Sequence, residues 1–196
     1  MSKQQDIIIA GVGGQGILTI AGLIGMAALD AGLHVKQSEV HGMAQRGGAV
    51  VSHLRLGSDP VASDLIPVGG AHILLSMEPM EILRYFPYAR KDAAIVTNRN
   101  PVKNIVAYPE LETILARIRS REHHVIVDGE GLAKKAGSVK TVNIVLLGAS
   151  SGFLVLTPRE IRGQIEKFFA RKGAEIVEQN LKAFELGREA AGIAQP

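Results

Sequence analysis

The sequence has 196 residues, of which 46% are apolar and 21% are charged, and its formal net charge is +3. This length and composition predict a globular protein with one sizeable core. The small, dispersed charge argues against a nucleic-acid-binding surface. Because the sequence contains no cysteine, the chain alone cannot hold a disulfide, a thiolate zinc site or an iron–sulfur cluster.

The N-terminal residues do not show the charged, apolar and small-residue progression of a signal peptide. The apolar runs are also shorter than the roughly 18 residues that a membrane span needs. The sequence therefore predicts a cytoplasmic protein.

Apolar runs and helically spaced residues alternate along the chain. The predicted strands are Ile7–Ala10, Leu33–Glu39, Ala49–Leu56, Ala71–Ser76, Ala93–Thr97 and His124–Asp128. The predicted helices are Gly14–Ala31, Glu78–Ala89, Pro109–Arg121, Asn143–Phe153, one that runs from the capping box Thr157-Pro-Arg-Glu160 to about Lys172, and Ala174–Ala191.

This alternation predicts an α/β fold: one three-layer α/β/α domain over residues 1–196, with a Rossmann-like and mostly parallel sheet. The sheet is mixed if the strand at 49–56 runs antiparallel, since no helix precedes it. In such sheets, ligands bind outside the carboxyl ends of the strands.

A glycine-rich loop follows the first predicted strand. Its predicted anion- or cofactor-binding residues are Gly11, Gly13, Gly14, Gln15 and Gly16. In the G-x-G-x-x-G pattern, we expect Gly11 to allow a tight turn, Gly13 to admit a phosphate, and Gly16 to let the helix pack on the strand. A tight strand–helix turn without a ligand explains the same glycines.

A second polar motif follows the second predicted strand, so we expect both motifs at one edge of the sheet. Its candidate residues are Ser38, Glu39, His41, Gln45, Arg46, Gly47 and Gly48. Arg46 has the geometry to bind a carboxylate or phosphate with two hydrogen bonds, or else it pairs with Glu39 and holds the loop. His41 lacks a partner nucleophile, so the sequence predicts no catalytic residue, and no metal-ligand spacing is present.

Glu39 leaves an alternative open. It stands near the position at which a dinucleotide-binding fold places its ribose-binding acid, so a stand-alone NAD(P)-dependent oxidoreductase is the second hypothesis.

The two motifs together resemble the gamma-type domain of 2-oxoacid:ferredoxin oxidoreductases, which has a G-x-G-G-Q-G loop and a polar loop that ends in Arg-Gly-Gly. The stretches Asn143–Ala149 and Asn180–Gly187 fit as well, so the resemblance covers nearly the whole chain. The version of the second motif is most similar to that of the small (beta) subunits in indolepyruvate-type enzymes.

The resemblance implies a partner: a larger alpha subunit that holds thiamine diphosphate, Mg and [4Fe-4S] clusters, reduces ferredoxin, and passes the acyl group to coenzyme A as co-substrate. The glycine loop then holds a phosphate of coenzyme A or packs on the alpha subunit. The second motif lies on the substrate and coenzyme A side or at the subunit interface. A subunit that serves assembly alone is a third hypothesis, and we expect the isolated chain to be inactive and to form a homodimer.

Overall fold

The computed structural model describes residues 4–42, 47–103, 105 and 107–192. Six strands form one sheet, and they are β1 (Gln4–Val12), β2 (His34–His41), β3 (Ala49–Gly57), β4 (Ala71–Ser76), β5 (Ala89–Asn98) and β6 (His124–Val127). Their order across the sheet is β2-β3-β1-β4-β5-β6. Strand β3 is antiparallel to both of its neighbours, and β1, β4, β5 and β6 are parallel, so the sheet is mixed.

Helices cover both faces of the sheet, which confirms the predicted three-layer α/β/α fold. They are α1 (Ile17–Asp30), α2 (Pro79–Arg84), α3 (Leu111–Arg119), α4 (Gly129–Ala136), α5 (Val142–Ser150), α6 (Pro158–Phe169) and α7 (Ala174–Ala190). The core on one face includes residues of α1, α4, α5, α6 and α7, and the core on the other face includes residues of α2 and α3. Among the described residues, no helix is long and apolar enough to cross a membrane.

Several element boundaries differ from the predicted ones. The predicted helix 78–89 ends at Arg84, because a short 3-10 turn around Pro87 leads directly into β5. Pro109 precedes the helix cap at Glu110 and is not the first residue of α3. The sequence analysis missed α4, although Asp128 caps its start and Gly137 its end, which are usual helix signals.

Helix α5 is almost entirely buried on the helical face, which is the face of the sheet that α1, α4, α6 and α7 also cover. Eight of its nine residues are buried, and it packs against α7 with backbone in direct contact. A Cβ atom on Gly148 would lie 2.0 Å from the carbonyl oxygen of Phe184, and one on Gly187 would lie 2.0 Å from that of Val145. Only hydrogen side chains let the two helices approach this closely.

The Gly187→Ala variant should therefore lose about 3 kcal/mol of unfolding free energy, because the added methyl group forces α5 and α7 apart. The measurement is urea unfolding of the purified chain. The matched control is Gly22→Ala in α1, where a new Cβ meets no atom within 4 Å. This control should gain up to about 1 kcal/mol from helix propensity. Equal effects of the two substitutions would show that the contact between the helix backbones is unimportant.

Candidate functional site

The two sequence motifs meet at the carboxyl end of β1. The backbone N–H of Gly13 donates a hydrogen bond of 2.8 Å to the carbonyl oxygen of Gly48. The N–H of Gly42 donates to the carbonyl oxygen of Ala49, also at 2.8 Å, and closes the base of the second loop. The expected position at one edge is confirmed for these residues, whereas Gln45 and Arg46 lie outside the described residues.

The side chain of Gln15 holds the glycine loop in shape. Its Oε1 accepts a hydrogen bond from the N–H of Val12 at 2.9 Å, and its Nε2 donates to the carbonyl oxygen of Met77 at 3.2 Å. The loop is thereby tied both to its own strand and to the end of β4. Both functions of the amide are used, so glutamine is the residue type that this position needs.

Glycine is required at positions 11 and 16 for reasons that differ from those we expected. Gly11 lies within β1, and a Cβ there would be 2.6 Å from Oε1 of Gln15, so its role is to make room for the glutamine. Gly16 has a φ of +80° and faces the start of α5, where a Cβ would be 2.5 Å from Nδ2 of Asn143. It lets α1 begin beside α5 and is not a contact between α1 and the strand.

The start of α1 offers backbone donors. In the described part of the chain, no protein acceptor pairs with the N–H groups of Gly14, Gly16, Ile17 or Leu18. These donors and the positive end of the helix dipole favour an anion at this place. Gly13 is different, because its N–H is already bound to Gly48 and is not available to a phosphate.

The second motif is partly strand. β2 continues to His41, beyond the predicted end at Glu39, and Nε2 of His41 lies 3.2 Å from Oε1 of Glu39 in a half-exposed pair. In the pairing of β2 with β3, Ser38 lies opposite His53. Because successive side chains alternate along a strand, Ser38 lies on the opposite face of the sheet from Glu39. Ser38 is therefore separated from the other described residues of the motif.

The position of β2 argues against the dinucleotide hypothesis. That hypothesis needs the ribose-binding acid at the end of a strand next to β1. Here the antiparallel β3 lies between β1 and β2, and Glu39 is paired with His41.

A cleft of about 300 Å³ lies between the glycine loop and the second motif. Its walls include the apolar side chains of Val12, Ile17, Leu18 and Val50, with His41 at one side, and we call it the apolar cleft. The described side chains of the apolar cleft are thus suited to an uncharged group, while Gly14, Gly16, Ile17 and Leu18, whose N–H groups favour an anion, line it as well.

Polar residues that the sequence analysis did not single out complete this edge. Asn98, at the end of β5, donates to the carbonyl oxygen of Met77 at 3.4 Å and accepts from the N–H of Gly129 at 3.0 Å. It links the ends of β4 and β5 to the start of α4. The available signal was its position, directly after a predicted buried strand.

The buried carboxylate of Glu78 fastens the neighbouring loop. It accepts hydrogen bonds from the N–H groups of Met80 and Glu81, which cap α2, and from the hydroxyl of Tyr108 and the N–H of Val102. Burial, assisted by the adjacent Glu78, raises the pKa of Tyr108, so its hydroxyl remains a donor. These contacts are structural, and they hold the chain that follows β5 beside the site.

Metal ligation has no support in the described ranges, in which no group of three or more His, Cys, Asp or Glu side chains is placed to hold an ion.

Comparison with known proteins gives a consistent result. Residues 6–190 match the family model described as pyruvate ferredoxin/flavodoxin oxidoreductase. The chain is 42% identical over 201 residues to the indolepyruvate oxidoreductase subunit IorB of Pyrococcus horikoshii, and the match covers 96% of each chain. It is 26% identical over 187 residues to the 2-oxoglutarate synthase subunit KorC of Methanothermobacter thermautotrophicus, a match that covers 95% of this chain and 94% of the relative.

A solved structure shares the fold. It is the 2-oxoglutarate:ferredoxin oxidoreductase of Magnetococcus marinus with 2-oxoglutarate, coenzyme A and succinyl-CoA bound. The TM-score is 0.79 at 22% identity, and the match covers 98% of this chain and 32% of the other. This chain therefore spans about a third of that longer polypeptide.

Replacing Gln15 tests whether its side-chain amide holds the glycine loop in shape. Gln15→Glu keeps the acceptor for Val12 but sets a carboxylate against the carbonyl oxygen of Met77, so we expect a loss of about 1–3 kcal/mol in unfolding free energy at neutral pH. Urea unfolding measures it. The matched control is Asn100→Asp, because the one side-chain hydrogen bond of Asn100 among the described residues is accepted by its oxygen from the N–H of Glu130. The control should change the unfolding free energy little. A similar loss in both variants would argue that the hydrogen bonds of Gln15 do not stabilise the loop.

Proposed function

The chain belongs to the pyruvate ferredoxin/flavodoxin oxidoreductase family and is the small subunit of a 2-oxoacid:ferredoxin oxidoreductase, and we propose that its 2-oxoacid is indolepyruvate or another arylpyruvate. The observation that carries the proposal is the 42% identity to an indolepyruvate oxidoreductase subunit over 96% of both chains, against 26% to a 2-oxoglutarate synthase subunit. The proposal treats residues 1–196 as one gamma-type domain.

The redox groups belong to another polypeptide in this proposal. With no cysteine, the chain has no thiolate for a [4Fe-4S] cluster. The thiamine–magnesium motif Gly-Asp-Gly is also absent, because Asp128 lacks the preceding glycine. The residues present therefore do not fit these groups, and a larger alpha subunit would hold the thiamine diphosphate, Mg and clusters and pass electrons to ferredoxin.

The contribution of this chain is binding and positioning. The N–H groups at the start of α1, which have no partner among the described residues, favour an anion, and the apolar side chains of the same cleft accept an uncharged arm or an aromatic acyl group. Coenzyme A combines an anionic end with an uncharged thiol arm, so it suits this edge as co-substrate of the oxidative decarboxylation. The glycine loop and the second motif would then form one wall of a cleft that the alpha subunit completes.

The dinucleotide alternative predicts binding of NAD(H) or NADP(H) to the chain alone. Calorimetric titration at millimolar concentrations tests it, and we expect no heat of binding.

The proposal predicts that the chain is inactive alone and restores activity to its alpha subunit. The measurement is coenzyme A-dependent reduction of a viologen dye, with the alpha subunit at fixed concentration and the chain titrated in. Indolepyruvate and phenylpyruvate should give kcat/KM values at least tenfold above those of 2-oxoglutarate and pyruvate.

Two results would separate the parts of this proposal. If the added chain gives no gain in coenzyme A-dependent rate, the subunit assignment is wrong. If the rate rises but 2-oxoglutarate is the best substrate, only the arylpyruvate assignment fails. The Gly22→Ala variant, altered in α1 away from any close contact, is the control and should restore activity fully.

A further inference from the structure

Strand β6 leaves one edge of the sheet free. It stands last in the strand order, and within the described residues it pairs with β5 alone. The carbonyl oxygens of His123 and Val127 accept hydrogen bonds of 2.9 and 2.8 Å from N–H groups on the β5 side. Successive residues of a strand direct their backbone groups to opposite edges, so the N–H and C=O groups of His124 and Ile126 point to the free edge.

A cavity of about 430 Å³ lies along this free edge. It is lined by β6 and by helices that cover opposite faces of the sheet, α3 on one face and the end of α7 on the other. A cavity that contacts both faces and the last strand must pass around the edge of that strand. We call it the edge groove, and its lining includes Arg99, Leu115, Arg119, Val125, Ile126 and Ala190.

The two sides of the edge groove leave different amounts of space. Leu115 and Arg119 of α3 form one side, and the short side chains of Ala190 and Ala191 form the other. The side chains of an extended strand alternate between the two faces of a sheet. A strand added here would place one set of side chains over Leu115 and beside Arg119. The other set would lie over the two alanines, which leave room for larger apolar groups.

The edge groove is positively charged. Arg99 and Arg119 line it, and its lining includes no aspartate or glutamate. Arg99 takes part in no ion pair with a carboxylate in the described ranges, and Arg119 shares its charge with the exposed Glu112 at 3.1 Å. The excess positive charge attracts an acidic segment. It repels a second copy of this chain, because pairing of two such edges would bring the same arginines together.

The backbone groups at the free edge select a peptide over a small anion. The edge presents C=O groups beside its N–H groups. A phosphate or a free carboxylate would accept hydrogen bonds from the N–H groups but would leave the C=O groups without a donor. An extended peptide supplies donors and acceptors at the spacing of a strand.

We propose that an extended, acidic segment of the alpha subunit lies in the edge groove and adds a seventh strand to the six-stranded sheet. The inference rests on the proposed function, in which the alpha subunit is the polypeptide with which this chain acts. The main chain of the segment pairs with the outward backbone groups of His124 and Ile126. Its carboxylates pair with Arg99 and Arg119, which fixes the acidic character of the segment.

Hydrogen exchange of single amides tests the added strand, with the isolated chain and the complex with the alpha subunit compared by mass spectrometry with electron-transfer fragmentation. In the isolated chain, the amides of His124 and Ile126 should exchange fast, whereas that of Val125, which points to β5, should be protected. In the complex, the amides of His124 and Ile126 should exchange at least about tenfold more slowly, because each gains a backbone acceptor.

Charge reversal tests the acidic character of the segment. Arg99→Glu and Arg119→Glu should each raise the Kd for the alpha subunit about five- to tenfold, because each replaces an attraction by a repulsion. The matched control is Arg117→Glu, which reverses the charge of an exposed arginine on the same helix α3 outside the edge groove and should leave the Kd within about twofold. Circular dichroism of the three variants checks that each is folded.

The possible results separate the inference from the proposed function. If the complex forms but the exchange of His124 and Ile126 is unchanged, the inference is wrong. Protection of these amides in the isolated chain also overturns it: protection lost on dilution assigns the edge to a second copy, and protection at every concentration assigns it to the chain itself. An equal rise in Kd for Arg117→Glu overturns the role of the edge groove. If the wild-type chain does not bind the alpha subunit at all, the proposed function itself fails.

Discussion

The hydrogen bond from the N–H of Gly13 to the carbonyl oxygen of Gly48 joins two loops on which the whole site depends. It can form because β3 runs antiparallel beside β1 and brings the end of the second motif next to the glycine loop. Gln15 adds the link to β4, and Asn98 extends it to β5 and α4. The loop is therefore held by the protein itself, so that a ligand does not have to supply the free energy of ordering it.

This arrangement divides the backbone donors of the loop into two sets. Gly13 and Gln15 use their N–H groups inside the protein, on Gly48 and Val12, and so set the conformation. The N–H groups that follow, at the start of α1, have no partner among the described residues. The hydrogen bonds inside the protein make the loop rigid, and the N–H groups at the start of the helix give it a capacity to accept an anion.

Several glycines of this chain serve close packing. Gly16 lets α1 begin beside Asn143, and Gly148 and Gly187 let α5 and α7 meet backbone to backbone. Helix α5 thereby connects the start of α1 to the outer helix α7. The same close packing that stabilises the helical face also positions Lys140 and Lys172 on one side of the glycine loop.

The amino-acid sequence by itself determined the alternation of strands and helices, the α/β class and the helix start at Thr157, where a capping box forms as predicted. These features depend on residues close together in the chain, through periodicity, propensity and local hydrogen bonds. The family resemblance could also be read from the order and spacing of the two motifs. The convergence of those motifs was predicted correctly, because strand ends share an edge.

Only the tertiary structure decided the rest. The place of β3 between β1 and β2 separates Glu39 from the glycine loop, and sequence periodicity does not specify which strands are neighbours. Only the structure shows that Gly11 makes room for Gln15 and that Gly16 makes room for Asn143. Lys140 and Lys172 likewise come close together from the separate segments that precede α5 and follow α6. Such contacts arise between segments far apart in the chain, and their geometry is set by how the whole core packs, so no local pattern encodes them.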